Sequence, residues 1–236
     1  MKKMTNNFLP FIDDENLENA VSHVFSSFTN SVSEVDIHKN TLDPFSAFIE
    51  SAFAEISFDD WVAKEKQRQA QKTFQNAIGE FHQIVLGNCY GWKDLGQGGG
   101  LDVCSDKRKI LAEIKNKHNT MNSGSAVEVY NKITAMLSLP VYKDYIGFCV
   151  KIIPKSKRGI PVREYAPSDS KTKTKCPSNP RILETDGKQF YALVTGEENA
   201  IEMLFDVLPK VIESSSGKKF SDIEQKKFKT IFEIVF

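Results

Sequence analysis

A glycine-rich turn followed by an alternating segment constrains the fold of this chain more than any other feature. The stretch from Gly96 to Asn119 reads G-Q-G-G-G-L-D-V-C-S-D-K-R-K-I-L-A-E-I-K-N-K-H-N. Residues 101–104 and 109–116 are predicted to form the two arms of a tight β-hairpin, because the polar residues 105–108 between them are turn formers.

Three ionisable side chains of this hairpin are expected to converge. Successive residues of a strand point to opposite faces, so Glu113 and Lys115 share one face while Ile114 packs into a core. Asp102 lies on the neighbouring arm, close enough for its carboxylate to meet that of Glu113. The pattern therefore predicts two carboxylates and one lysine at one end of a sheet.

This triplet suits the chemistry of a divalent metal ion. Two adjacent carboxylates repel each other unless a cation lies between them. One or two carboxylates, waters and a phosphate oxygen are typical ligands of Mg²⁺, and a nearby lysine orients water or offsets charge on a phosphoryl group. The triplet predicts Mg²⁺-dependent phosphodiester hydrolysis, with Mn²⁺ as a substitute ion. E-x-K alone also occurs by chance in exposed strands, so the prediction depends on Asp102 and on the flanking glycines and polar residues.

The composition is that of an ordinary globular protein. The chain has 236 residues, of which 40% are hydrophobic and 26% charged, enough for one large domain with a core. No apolar run approaches the length of a membrane span, and no signal peptide is indicated. The four cysteines form no C-x-x-C pair, so we expect reduced thiols, no zinc site and a cytoplasmic location.

The charges are distributed unevenly although the formal net charge is zero. Residues 1–60 contain three lysines and eleven acids, whereas residues 151–181 contain nine Lys or Arg and two acids. One interpretation is a molecule with a basic face for a polyanion and an acidic face turned away from it. The alternative is an acidic helical surface and a charged loop that serve only solubility.

Hydrophobic periodicity predicts the elements around the hairpin. Helices are predicted over residues 13–30, 44–56, 60–86, 123–139, 187–194, 197–213 and 221–236, and a strand buried on both faces over 145–153. This order predicts an α/β (α+β) fold with a mixed central β-sheet flanked by helices. We expect residues 1–58 to be a helical N-terminal region packed into one unit with a nuclease domain over 59–236.

Polar residues at three further places are candidates for function. Segments rich in hydrogen-bonding and basic side chains follow the hairpin and the buried strand, where they can contact DNA phosphates or base edges. The candidate DNA contacts are Lys117, His118, Asn119, Lys155, Lys157 and Arg158. Glu80, next to Gly79 in the third predicted helix, is either an outer metal ligand or a surface glutamate.

The hairpin residues resemble a known nuclease signature. Asp102 followed by Glu113-Ile114-Lys115 on the next strand resembles the PD-(D/E)xK motif, with Leu101-Asp102 in place of Pro-Asp. With N-x-x-G-E-F-H-Q at 76–83, G-G-L-D at 99–102 and E-I-K-N-K at 113–117, the chain looks like type II restriction endonucleases that recognise GGNCC-type sites. The resemblance covers roughly residues 70–210.

That resemblance implies a restriction-endonuclease-like core and a Mg²⁺-dependent homodimer that cuts double-stranded DNA within a short palindrome, leaving 5′-phosphate and 3′-hydroxyl ends. It implies a cognate DNA methyltransferase in the same bacterial cell. Position by position, Asp102 and Glu113 would hold metal, Lys115 would serve the water and Glu80 would be an accessory acid. Two alternatives remain open: a structure-specific or repair nuclease of the same fold, and a non-catalytic DNA-binding protein with structural hairpin carboxylates.

Overall fold

The computed structural model describes residues 7–33, 42–96, 98, 100–169 and 172–236. Two compact units are distinguished along the chain. One comprises the described residues up to Val21 together with His82–Phe236, and the other comprises those between Ser22 and Phe81. The predicted boundary near residue 58 stays a prediction. Within the described ranges, no helix has both the length and the apolar character required to cross a membrane.

The elements follow the predicted order, with additional short strands. The helices are α1 (Asp14–Ser33), α2 (Pro44–Ala54), α3 (Phe58–Asn88), α4 (Ser123–Leu137), α5 (Gly187–Thr195), α6 (Ala200–Ser216) and α7 (Asp222–Val235). The strands are β1 (Lys93–Asp94), β2 (Val103–Ser105), β3 (Ile110–Lys117), β4 (Ile146–Ile153), β5 (Arg163–Glu164) and β6 (Ile182–Asp186).

In the described part of the chain, these strands form one mixed sheet in the order β1-β2-β3-β4-β6-β5. Strands β3, β4 and β6 run parallel to one another, and the other neighbouring pairs are antiparallel. The prediction of a mixed sheet flanked by helices, with a helical N-terminal region formed by α1–α3, is confirmed.

The predicted hairpin is present as β2 and β3. Val103 faces Ala112 and Ser105 faces Ile110, which sets the antiparallel register. The hairpin continues one residue before β2, because Asp102 N–H donates to the Ala112 carbonyl at 3.0 Å. Asp102 therefore lies opposite Glu113 on the neighbouring arm. The turn covers residues 106–109, one residue later than the predicted 105–108.

Helix α4 covers the sheet face that carries Glu113 and Lys115. Its buried side chains pack with Leu111, Cys149 and Ile182, which lie on that face of β3, β4 and β6. The approach is close because Gly147 in β4 has no side chain: a Cβ there would overlap Ile133 Cγ2 of α4. At the start of the hairpin, Gly100 has φ +82°, and a Cβ there would lie 2.7 Å from Met136 Sδ.

Helix starts follow the expected capping chemistry. Asp186 accepts a hydrogen bond from Gln189 N–H at the start of α5, and Ser221 forms a capping box with Glu224 at the start of α7. Asp43 caps α2, in which Pro44 occupies the first turn. These predicted helix starts are confirmed. Cys89, Cys104, Cys149 and Cys176 are free thiols.

Candidate active site

The hairpin brings Asp102 and Glu113 together near the middle of β3. Besides its backbone pairing, Asp102 accepts a side-chain hydrogen bond: Ile114 N–H donates to Asp102 Oδ2 at 2.6 Å. This contact holds the carboxylate against the strand that carries Glu113 and Lys115. The backbone of Ile114 thus positions the acid of the neighbouring arm.

The two carboxylates influence each other electrostatically. Burial raises the pKa of Asp102 to about 6, and the negative charge of Glu113 contributes to the same shift. The hydrogen bond from Ile114 and the charges of Lys115 and Lys132 oppose that shift without cancelling it. Ionisation of Asp102 is therefore less favourable than that of an exposed aspartate, as expected of a buried carboxyl group next to a second one.

Glu113 is a buried carboxylate with a lysine on each oxygen. Its side chain is 6% exposed, Lys115 Nζ lies 2.8 Å from Oε1, and Lys132 Nζ lies 2.7 Å from Oε2. A buried charge is tolerated when it is paired in this way. Lys132 was not predicted from the sequence, because its position on α4 has no fixed spacing from the hairpin and resembles the solvent side of an amphipathic helix.

Lys115 keeps its charge in this environment. Burial favours the neutral amine, but the hydrogen bond and charge of Glu113 outweigh it, and the pKa of Lys115 rises above its usual value. The side chain is therefore an ammonium group at neutral pH. In this form it can donate hydrogen bonds and supply positive charge, but it has no lone pair with which to accept a proton.

A second cluster of ion pairs lies on the same face of the sheet as Glu113, two strands away. The buried Glu184 accepts from Lys151 Nζ at 2.6 Å, and Arg163 Nη2 lies 2.7 Å from its Oε1. Cys149 lies between the two glutamates, because it faces Glu113 in the β3–β4 register and Glu184 in the β4–β6 register. This cluster was not predicted, since β5 and β6 were not recognised in the sequence.

The donor set of the hairpin fits a magnesium ion. Among the residues that the structure describes, no group of three or more His, Cys, Asp or Glu side chains is arranged to hold a metal ion. Mg²⁺ does not require such a group, because it usually keeps several waters and takes one or two carboxylates plus a substrate phosphate. The mutual repulsion of Asp102 and Glu113 is relieved by such a cation.

The candidate DNA contacts lie in two loops at the same edge of the sheet. Lys117 ends β3 and is followed by His118 and Asn119, whereas Lys155, Lys157 and Arg158 follow β4. The loops adjoin, because β3 and β4 are parallel and His118 N–H donates to the Ile153 carbonyl at 2.9 Å. All six side chains are at least partly exposed, with His118 the most covered of them.

The loop after β4 is fastened to the sheet at its far end. Ile160 N–H donates to Asp186 Oδ2 at 2.5 Å, and the Ile160 carbonyl accepts from Thr185 Oγ1 at 3.1 Å. Asp186 is buried, and its other oxygen caps α5. One carboxylate therefore fixes both the basic loop and the following helix.

Glu80 belongs to the unit formed by residues 22–81. Its Oε2 lies 2.6 Å from His23 Nε2, and both side chains are about half exposed. Its expected role as an accessory acid stays a prediction.

Comparisons with known proteins agree with one another. A family model described as Eco47II restriction endonuclease matches residues 9–215. The chain is 38% identical over 213 residues to the type II restriction enzyme Eco47II of Escherichia coli, covering 87% of each chain. It is 34% identical over 229 residues to the type II restriction enzyme Sau96I of Staphylococcus aureus, covering 93% of this chain and 87% of the relative.

Proposed function

Because this chain belongs to the Eco47II restriction endonuclease family, and is thus a type II restriction enzyme, we propose that it cleaves both strands of DNA at a GGNCC-like palindrome. Cleavage depends on Mg²⁺ and leaves 5′-phosphate and 3′-hydroxyl ends. Membership of the family argues against the two alternatives, a repair nuclease and a non-catalytic DNA-binding protein.

The observation that carries the site assignment is the convergence of Asp102, Glu113 and Lys115 on one face of the sheet. Asp102 and Glu113 hold the ion, and a bound Mg²⁺ supplies Lewis acidity and charge stabilisation to the phosphoryl group. The Lys115 ammonium donates a hydrogen bond to the attacking water or to a phosphate oxygen. This bond orients the water relative to the phosphorus atom that it attacks. Glu80 is retained as a proposed accessory acid.

The two adjoining loops after β3 and β4 form the proposed DNA contact surface. Their exposed lysines and arginine supply positive charge for backbone phosphates next to the carboxylates. Lys and Arg side chains also pair with the O6 and N7 acceptors of guanine in the major groove, which suits a site that begins with two guanines. His118 and Asn119 are proposed to contact bases or sugars.

A homodimer is proposed because a palindrome presents the same half-site twice, related by a twofold axis. Helix α2 offers a surface for it: the helix has no buried residue, and Phe45, Phe48 and Phe53 are 77%, 84% and 88% exposed. With Ile49, they present roughly 600 Å² of apolar surface, at about 200 Å² for a whole aromatic side chain. This area approaches the roughly 800 Å² that each partner buries in a standard interface. It is also at the upper end of the range for the largest apolar patch on a monomeric protein.

The dimer is tested by light scattering on the variant Phe48→Asp, which places a charge in the centre of the α2 surface. We expect a monomer where the wild type is a dimer. Ile231→Asp on α7, where Ile231 is also exposed, is the matched control and is expected to leave the dimer intact. A dimer that survives Phe48→Asp rejects this surface as the interface.

The cleavage activity is tested by incubating the protein with plasmid DNA and Mg²⁺. We expect discrete fragments whose run-off sequences end within one GGNCC-like site, and no fragments with EDTA or with Asp102→Asn. A smear, or fragments that persist with Asp102→Asn, contradicts the proposal.

A cognate methyltransferase follows from the need to protect host DNA. DNA methylated within the proposed site is expected to resist cleavage, whereas an unmodified plasmid of the same sequence is cut. A DNA methyltransferase encoded next to this chain would be the expected partner. Equal cleavage of methylated and unmethylated sites would reject that pairing.

A further inference from the structure

Lys132 has a contact that the proposed mechanism does not use. Its ammonium lies 2.7 Å from Glu113 Oε2, although it comes from α4 and not from the hairpin. The contact is built into the packing of α4. The next residue, Ile133, fills the space above Gly147, and Met136 lies against Gly100 at the start of the hairpin. The close approach of the helix at two glycines brings the Lys132 stem within reach of the buried carboxylate.

When Asp102 is ionised, the charges of the four ionisable side chains of the site sum to zero. Asp102 and Glu113 contribute two negative charges, and Lys115 and Lys132 contribute two positive ones. A divalent ion added to this group leaves a net charge of +2. Such an excess is unfavourable in a partly buried site unless further negative charge arrives with the ion. The phosphates of DNA supply that negative charge.

Lys132 can leave Glu113 more easily than Lys115. Lys115 is 27% exposed and lies on the same strand as Glu113, whereas Lys132 is 42% exposed and comes from α4. A long lysine stem rotates at little cost when its end is already near water. A carboxylate oxygen that loses this ammonium becomes available to a metal ion.

From these contacts we propose that Lys132 is a resident counter-cation of Glu113 that the divalent ion must displace, so that metal binding is coupled to the binding of a DNA phosphate. The ammonium neutralises Glu113 in the absence of metal, and after displacement it can pair with a phosphate of the bound duplex. Lys132 thus makes the metal site weak without DNA and stronger with it. This inference deepens the proposed function and rests on the metal site at Asp102 and Glu113.

The test is the affinity for Mn²⁺ of the full-length protein without DNA, measured from the electron paramagnetic resonance signal of unbound Mn²⁺. Lys132→Met removes the charge and keeps most of the stem. We expect it to bind Mn²⁺ about tenfold more tightly than the wild type, because a cation near the ion is lost. Lys132→Arg keeps the charge and should stay close to the wild type. Lys227→Met, which removes an exposed lysine of α7, controls for net charge and should change nothing.

The coupling is measured by repeating the titration with a duplex that contains the site and has a non-hydrolysable, sulfur-free linkage at the scissile position. DNA should raise the Mn²⁺ affinity of the wild type by a larger factor than that of Lys132→Met, and Mn²⁺ should raise the affinity for DNA by the same two factors. Lys132→Gln serves as a second neutral variant if thermal melting shows Lys132→Met to be unfolded.

Two failures of this experiment are distinguishable. If Asp102→Asn abolishes Mn²⁺ binding but the neutral Lys132 variants bind Mn²⁺ no more tightly than the wild type, Lys132 is not a counter-cation and the proposed metal site stands. If Asp102→Asn binds Mn²⁺ as the wild type does, the metal site at the hairpin is wrong, and the role of Lys132 falls with it.

Discussion

Ile114 N–H donates a hydrogen bond to Asp102 Oδ2 at 2.6 Å, so the residue between Glu113 and Lys115 holds the acid of the neighbouring strand. The side chain of Ile114 is buried on the opposite face. One residue therefore anchors the strand in the core through its side chain and positions a carboxylate through its backbone. The distance between the two acids consequently depends on the register of the hairpin, rather than on a flexible loop.

Asp102→Asn is expected to stabilise the metal-free protein while abolishing cleavage. The pKa of Asp102 is about 6 in the folded protein against 3.8 normally, so its ionisation opposes folding. This cost is fully present above pH 6, decreases as the pH falls from 6 to 3.8, and vanishes below that range. The variant should gain roughly 1–3 kcal/mol at pH 8 and almost nothing at pH 4.

Urea unfolding of both proteins in EDTA at pH 8, 6 and 4 measures this difference. Other groups with shifted pKa values, such as His82, whose burial lowers its pKa to about 4, titrate in both proteins and cancel in the comparison. A gain in stability that is independent of pH would contradict the origin of the effect.

Lys115→Ala is expected to lower the cleavage rate of bound DNA by roughly 10²–10⁴-fold, because it removes a positioned donor next to the reacting phosphate. DNA affinity should change little. Lys117→Ala is the matched comparison: this exposed lysine lies two residues further along the same strand and should weaken DNA binding while sparing the rate of the saturated complex. Single-turnover cleavage and filter binding separate the two effects, and an unchanged rate for Lys115→Ala would reject its role.

Gly147→Ala is expected to destabilise the protein by about 1–3 kcal/mol, because the added methyl group overlaps Ile133 Cγ2 and forces α4 from the sheet. The second change Ile133→Leu removes Cγ2 and should recover part of the loss. Urea unfolding of the wild type, both single variants and the double variant gives the coupling between the two positions. Additive effects would mean that this contact does not set the distance between α4 and β4.

The triple variant Lys155→Ala/Lys157→Ala/Arg158→Ala is expected to weaken DNA binding and to lower the slope of log affinity against log salt by roughly 2–3, about one per lost phosphate contact. The control removes three exposed lysines of α6 and α7: Lys210, Lys226 and Lys227. This control changes the net charge by the same amount as the loop variant. It should leave the slope of log affinity against log salt unchanged. Equal slopes for the two triple variants would show that the loop does not contact phosphates.

The sequence predicted which residues the hairpin brings together. The strand face and the hairpin arm of each residue follow from rules that involve only neighbouring residues. Alternation in residues 110–117 assigns Glu113 and Lys115 to one face, and a short turn places Asp102 on the neighbouring arm. The register itself was not predicted, because the turn occupies residues 106–109 rather than 105–108, and this shift brings Asp102 opposite Glu113. The caps of α5 and α7 were predicted because their patterns span three residues.

Contacts between distant parts of the chain were not predictable in this way. Lys132 reaches Glu113 only because two glycines let α4 approach the sheet, and no spacing rule connects those positions. Strand β6 was missed because its five residues follow a long basic stretch with prolines, and β1 and β5 have two residues each, too few to show a period. The ion cluster around Glu184 was missed with them.

The basic loop between β4 and β5 (residues 154–160) is held at both ends, by the β3–β4 pairing at Ile153 and by the bonds of Ile160 to Asp186 and Thr185. The exposed tip of the loop, residues 155–158, makes none of these hydrogen bonds. New residues can therefore be introduced at the tip without moving the carboxylates on β2 and β3. On the proposed role of this loop in DNA contact, we expect variants of residues 155–158 on the unchanged sheet to cut in the same way but to differ in the DNA that they bind.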